Sequence, residues 1–245
     1  MTEYQRRIEL YGDGIGAVEY VQHMGTDLTV VNAARVSFGK QVQSLSEKDI
    51  KLISYLIDHK HTSTLEHNQV TFRFIVPLYI AAQHMRHRTW SYNSVSRRYT
   101  EENIQFYEPV QLRTQHSSNR QASNAEGLVD PMINPEDQDS PKWGEWIKPY
   151  TASQAIRDHH QDSLDLYEKL LAAGVCREQA RGVLPQNLYT QYYGSTNASN
   201  LLKFIDLRTH EGAQWEIQRV AQACLDIATD LWPVTVGAYR ESHCA

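Results

Sequence analysis

The chain has 245 residues, 41% hydrophobic and 22% charged, enough for one sizeable core and ordinary for a globular protein. With 24 Lys and Arg against 29 Asp and Glu the formal charge is −5, which argues against a general binder of nucleic acid or anionic membrane. No run approaches the ~20 apolar residues of a membrane span, and the start MTEYQRRIEL lacks the charged-then-apolar order of a signal peptide. Cys176, Cys224 and Cys244 are odd in number, far apart and form no C-x-x-C, so a reducing, cytoplasmic setting is expected.

In chain order, GAVEYVQHMG alternates weakly at Val18, Tyr20 and His23 and predicts a short strand. DLTVVNAARVSF reads as helical after Asp27. SEKDIKLISYLIDHK is a clearer helix: Ser46 and Asp49 form a capping box, and Ile50, Ile53 and Ile57 recur at helical spacing. In QVTFRFIV, Val70, Phe72, Phe74 and Val76 point one way while Thr71 and Arg73 point the other, the pattern of a half-buried strand. Pro77 suits the first turn of PLYIAAQHMRHR, where Tyr79, Gln83 and Arg86 share a face.

Residues 111–149 are rich in Gln, Asn, Ser, Asp and Pro and have little periodicity. They read as a long surface excursion, with Trp143 and Trp146 as pins for its far end, because no independent core follows. A long helix is expected from Ser153 to Ala173, closed by Gly174, with His159 and His160 on an exposed stretch. A short helix carrying Arg177 and Arg181, a strand in NLYTQYYGSTN and a helix in ASNLLKFIDLR follow, the last burying Leu201, Leu202 and Ile205. GAQWEIQRVAQACLDIATDLW is a second amphipathic helix, ended by Pro233, with Cys224 on its apolar face and Trp215 and Ile217 read as packing. Strands paired by alternation and separated by helices predict an α+β fold, a mainly antiparallel sheet flanked by helices in a single domain over 1–245.

One stretch stands apart. RHRTWSYNSVSRRY, Arg86 to Tyr99, holds four arginines, three serines and no acid. Arginine forks match phosphate oxygens two at a time, and serine hydroxyls add donors without charge. A Ser/Arg-rich loop after a helix can therefore fold around a phosphate. Neither G-x-G-x-x-G after a strand nor G-x-x-x-x-G-K-S/T is present. On chemistry alone, an anion site and a solvated, salt-bridged run stand level.

The spacing Arg86, His87, Arg88, seven residues, Ser96 resembles the signature of the flavin-dependent thymidylate synthases, and Ser91, Asn93, Arg98 and Tyr99 extend the match. NAARVSF, HTSTLEH, REQARGVLPQNLYT, TNASNLLKFIDLR and AQWEIQ resemble further blocks of that family, in its order. The resemblance implies reductive methylation of dUMP to dTMP. Methylenetetrahydrofolate would be the carbon donor, FAD the hydride carrier and NADPH the reductant, in a homotetramer with shared active sites. It implies that Gln83, Arg86, Ser94, Val95, Ser96, Arg97 and Arg98 hold dUMP, with Ser96 and Arg98 on its phosphate, joined by Arg181 from a neighbouring subunit. For FAD it implies His61, Ser63, Glu66, Arg86, His87, Arg88, Ser94, Asn197, Ser199 and Lys203. Arg208, ending FIDLR, is implied as both dUMP contact and catalytic residue, activating the uracil without a cysteine nucleophile.

The chain departs from the family at Ser94, where an acid is usual, at Ser199, where an arginine is usual, and at Gly212, where a histidine is usual; His210 is a candidate to serve in its place. Bland readings stand beside the sharp ones. Arg208 ends an amphipathic helix, where a cation favours the macrodipole. Ser37 and Arg35 suit a flavin contact or a helix-end hydrogen bond. His59, His61, His67, His84 and His87 lack the spacing of a usual zinc site, and no metal is expected. The competitor from another class is an RNA- or nucleotide-binding protein using the Arg/Ser loop, with Trp90, Tyr92 and Tyr99 interleaved for stacking. A further alternative is a relative that binds flavin and nucleotide without methyl transfer.

Overall fold

In the computed structural model, residues 6–96, 104–120, 122–133 and 150–243 are described. A five-stranded antiparallel sheet runs in the order β1 (Arg7–Glu9), β2 (Ala17–Met24), β3 (Gln69–Pro77), β7 (Tyr189–Asn197), β4 (Ser91–Ser94). The central pair β3 and β7 is in register from Gln69↔Asn197 to Pro77↔Tyr189. As the alternation predicts, Val70, Phe72, Phe74 and Val76 are buried while Thr71 and Arg73 are half-exposed. Ile75 is buried as well, on the face opposite them. On the outer face, cross-strand register sets Glu19 between Arg7 and Arg73, and it pairs with both at 2.6 and 2.5 Å.

Helices α6 (Ala198–Thr209) and α7 (Trp215–Leu231) pack against one another and bury Leu201, Leu202, Phe204, Ile205, Val220 and Cys224 in the same core as β3 and β7. Helix α2 (Glu47–Asp58) begins with the predicted capping box: the Ser46 amide donates to Asp49 Oδ2 at 2.9 Å. Its inner face is Ile53 and Leu56, and Ile50, expected on that stripe, faces outward.

Four sequence expectations are corrected. Pro233 does not merely end α7; it opens another helix, α8 (Pro233–His243), where proline's missing amide costs nothing. The amides of Val234 and Thr235 are capped by Asp27, at the start of α1 (Asp27–Arg35), which is why Asp27 is buried. His160 on α4 (Ala152–Ala172) is buried rather than solvated, stacked on Phe106 at 4.7 Å and bonded to Glu108 and Asn187. The first part of the 111–149 excursion is a two-stranded hairpin, β5 (Leu112–Gln115) with β6 (Ser123–Val129). Trp143 and Trp146, the expected pins, lie outside the described residues. Finally, Ser91–Ser94 is an edge strand rather than loop, and the Val95 amide extends its ladder to Gln191 O at 2.8 Å.

Candidate active site

Helix α3 (Leu78–His84) delivers the R-H-R stretch to the end of the sheet, and His84 is its anchor. Its ring is wholly buried, edge-on to Trp90 and Phe74 at 4.6 and 4.7 Å, and its Nδ1 meets the Tyr192 hydroxyl at 2.8 Å. Burial drives its pKa well below the ordinary histidine value, with His87 and Arg208 adding to the shift. The Tyr92 hydroxyl donates to the carbonyls of His84 at 2.9 Å and His87 at 3.2 Å, pinning the turn. Trp90 is buried and Tyr92 is tied down, so two of the three aromatics expected as a stacking platform belong to the core. The third, Tyr99, lies outside the described residues.

On this rigid base Arg86 and Arg88 are exposed, with no ion pair among the described residues. His87 turns back, edge-on to Phe204 at 4.9 Å, and its Nε2 accepts a hydrogen bond from Arg208 Nε at 3.1 Å. Burial first and the Arg208 charge second bring the His87 pKa down to about 4, so the ring is neutral near pH 7. An accepting Nε2 assigns its proton to Nδ1. Arg208 closes α6, so the macrodipole reading of its position holds too. Yet its partner is a neutral ring and no carboxylate faces it among the described residues, so the guanidinium keeps its full charge and its Nη donors.

Gln83, on the same helix, enters a relay that the sequence did not disclose. Its Nε2 donates to Gln214 Oε1 at 2.5 Å, and Gln214 Nε2 donates to Glu216 Oε2 at 2.9 Å. The other oxygen of Glu216 accepts from Arg113 at 2.7 Å and from the Tyr107 hydroxyl at 3.1 Å. Glu216 is buried, and the available signal was its period: Glu216, Val220, Cys224 and Ile227 share the inward stripe of α7.

Of the positions matched to flavin, His61, Ser63 and Glu66 lie in or beside the 3₁₀ turn Thr62–Leu65, while Arg86, His87, Arg88, Ser94 and Asn197 line neither cleft beside it. His61 and Ser63 line one cleft of about 490 Å³, and Ser199 and Lys203 line another of about 420 Å³. The two share Leu56, Lys60 and Thr62 as a common wall. The Ser199 hydroxyl is buried without a hydrogen-bond partner, an orphan that a ligand would satisfy. Asn197 caps α6, accepting from the Asn200 amide at 2.9 Å, so its carbonyl oxygen is already engaged. Glu66 is exposed at the end of the 3₁₀ turn, and Ser37, on the wall of the first cleft, donates to Ala34 O at 3.2 Å, as the helix-end reading has it. Arg35 pairs with Asp49.

Ser94 and Val95 are exposed and Ser96 half-buried at the sheet edge, while Arg97 and Arg98 lie outside the described residues. Arg181 is exposed in a 3₁₀ turn (Arg181–Val183) that packs on α4, and none of the clefts described includes it. Beside Gly212, where a Cβ would meet His210 Nδ1 at 3.3 Å, His210 accepts the Gly212 amide at 3.0 Å. Cys224 is buried with its thiol pKa driven up, whereas Cys176 is exposed; Cys244 lies outside the described residues.

Comparison with known proteins gives a consistent result. The family model described as thymidylate synthase complementing protein matches residues 19–234. The flavin-dependent thymidylate synthase of Thermus thermophilus is 39% identical over 228 residues, covering 92% of this chain and 76% of that one. Its counterpart in Thermosipho melanesiensis is 38% identical over 225 residues, covering 91% and 90%. Among solved structures, the UMP/dUMP methylase PolB from Streptomyces cacaoi, bound with 5-Br dUMP, superposes with a TM-score of 0.76 at 31% identity. That match covers 96% of this chain and 97% of the other.

Proposed function

The chain belongs to the flavin-dependent thymidylate synthase family, and from that premise we propose that it methylates dUMP to dTMP with 5,10-methylenetetrahydrofolate, FAD and NADPH. The observation that carries the reading is Arg208, charged and half-buried, held by a neutral imidazole instead of a carboxylate. Uracil N3–H ionises only weakly near neutral pH. A fixed guanidinium beside N3 and O4 stabilises the anion that develops there and polarises the ring. A carboxylate partner would cancel that charge; neutral His87 orients the guanidinium and leaves the charge intact.

Gln83, Arg86, Ser94, Val95 and Ser96 hold dUMP in this reading, with Arg97 and Arg98 continuing the same run. The Gln83–Gln214–Glu216 relay fixes the amide orientation of Gln83. Arg181, exposed on the far segment, serves a neighbouring copy in a homotetramer. His61, Ser63, Glu66, His87, Arg88, Asn197, Ser199 and Lys203 surround FAD, and the two clefts and the orphaned Ser199 hydroxyl fit such a group. Bound flavin supplies the hydride that methylation with a methylene donor requires. Cys224 is unsuited to nucleophilic attack, since burial keeps its thiol protonated and out of reach. Burial of Trp90 takes one of its stacking aromatics from the nucleic-acid reading, and Tyr92 is engaged in pinning the turn.

The test is conversion of dUMP, and of UMP in parallel, with methylenetetrahydrofolate and NADPH, with and without added FAD. FAD-dependent dTMP is the expected product. Flavin binding without product from either nucleotide would contradict methyl transfer and leave a nucleotide-binding relative.

A further inference from the structure

Lys60 is the one described non-glycine residue with a positive φ, at +56°. It follows the C-cap of α2 in a tight closing turn: its own amide bonds Ile57 O at 3.0 Å and the His61 amide bonds Leu56 O at 2.8 Å. That position in such a turn favours glycine, because an L side chain crowds its own backbone there. A lysine held in this conformation asks what its side chain does. It lines both clefts and stands where they meet. It has no ion-pair partner among the described residues.

The surroundings favour an anion. The cleft of about 490 Å³ is walled by Ser37, Thr62, Ser63 and Thr64 and contains no carboxylate. The adjoining cleft adds Lys203 and the unpartnered, buried Ser199 hydroxyl; of its two carboxylates, Asp206 faces His243 at 3.6 Å and Asp58 ends α2. A ligand long enough to enter both clefts passes over Lys60. We propose that Lys60 grips a phosphate of the bound dinucleotide at this junction, its backbone held in a glycine conformation to aim the ammonium there. The proposal rests on the flavin reading of the clefts and adds to it a residue that the family resemblance does not assign.

The experiment titrates FAD, riboflavin and NADP⁺ into the purified full chain, following flavin fluorescence for the first two and heat of binding for the third. Wild type, Lys60→Gly and Lys60→Arg are compared, each with its melting temperature. We expect Lys60→Gly to weaken FAD about tenfold, the loss of one charge-assisted contact, while riboflavin, which has no phosphate, binds as before. Its melting temperature stays level or rises by about 2–4 °C as the strained backbone relaxes. Lys60→Arg should bind FAD within about twofold of wild type. A loss confined to NADP⁺ would support the phosphate grip and give it to that dinucleotide.

Lower melting with unchanged dinucleotide binding would overturn the proposal, since a cation merely serving the C-terminal dipole of α2 behaves that way. Equal binding by wild type and Lys60→Gly also overturns it while leaving the flavin reading intact. Failure of wild type to bind FAD would instead remove the flavin reading itself, and the Lys60 proposal with it.

Discussion

Two arginines stand at the two ends of the short connection between α6 and α7: Arg208 closes α6, and Arg113, from β5, pairs with Glu216 in the first turn of α7. Both are partly buried. Arg113 meets a buried carboxylate at 2.7 Å, and its ring neighbour Trp215 lies 5.0 Å below the guanidinium. Arg208 meets a neutral imidazole. Burial and residue type are alike, so the partner is what separates a structural tie from a charge left available for chemistry. Arg113 fastens the β5–β6 hairpin to the body, and Arg208 activates the uracil in the reading advanced above.

The largest effect should come from breaking the structural side. Glu216→Leu leaves Arg113 half-buried without its counter-charge and strips acceptors from Tyr107 and Gln214. A loss of about 3–5 kcal/mol is expected, read from urea unfolding midpoints. A loss under about 1 kcal/mol would show that the tie carries little.

On the chemical side, His87→Phe keeps the edge-on packing with Phe204 and removes the acceptor that orients Arg208. Turnover should fall about 10- to 100-fold, the worth of a hydrogen bond to a charged group, with melting within a few degrees of wild type. Unchanged turnover would mean that the imidazole does not position the guanidinium.

The chemical side should also respond to pH. His84 and His87 both have folded pKa values below the ordinary 6.5. The unfolded chain therefore binds protons that the folded chain refuses, and stability is full above pH 6.5 and declines as pH falls toward about 4. His87→Gln should shallow that decline in urea midpoints between pH 6.5 and 4. A slope unaltered by His87→Gln would contradict the neutral, buried ring.

The smallest effect is expected at the link between the sides. Gln214→Ala cuts the relay from Glu216 to Gln83, and a neutral hydrogen bond of about 1 kcal/mol predicts a KM for dUMP raised a few-fold at unchanged kcat. A KM equal to wild type would show that Gln83 holds its orientation unaided.

Legibility in the sequence followed the range of the forces involved. The strand Gln69–Pro77 and the Ser46–Asp49 cap were readable because alternation and capping act within a few residues. Helix α8 was not, because its cap, Asp27, comes from the other end of the chain. His160 sits among polar neighbours in sequence and is buried only by Phe106, Glu108 and Asn187 from distant segments. The site divides in the same way. Arg86, His87, Arg88 and Arg208 were marked by motif, but the His87–Arg208 bond that gives them meaning spans the fold. The Gln83–Gln214–Glu216 relay left only a faint trace, a carboxylate on an apolar helical stripe.

The most direct test sets Arg208→Gln beside Arg113→Gln and measures dTMP formation and melting temperature for both. Arg208→Gln is expected to lose at least about 100-fold in turnover with melting within about 2 °C of wild type, while Arg113→Gln melts lower and turns over nearly normally. Near-normal turnover by folded Arg208→Gln would contradict the assignment of uracil activation to Arg208.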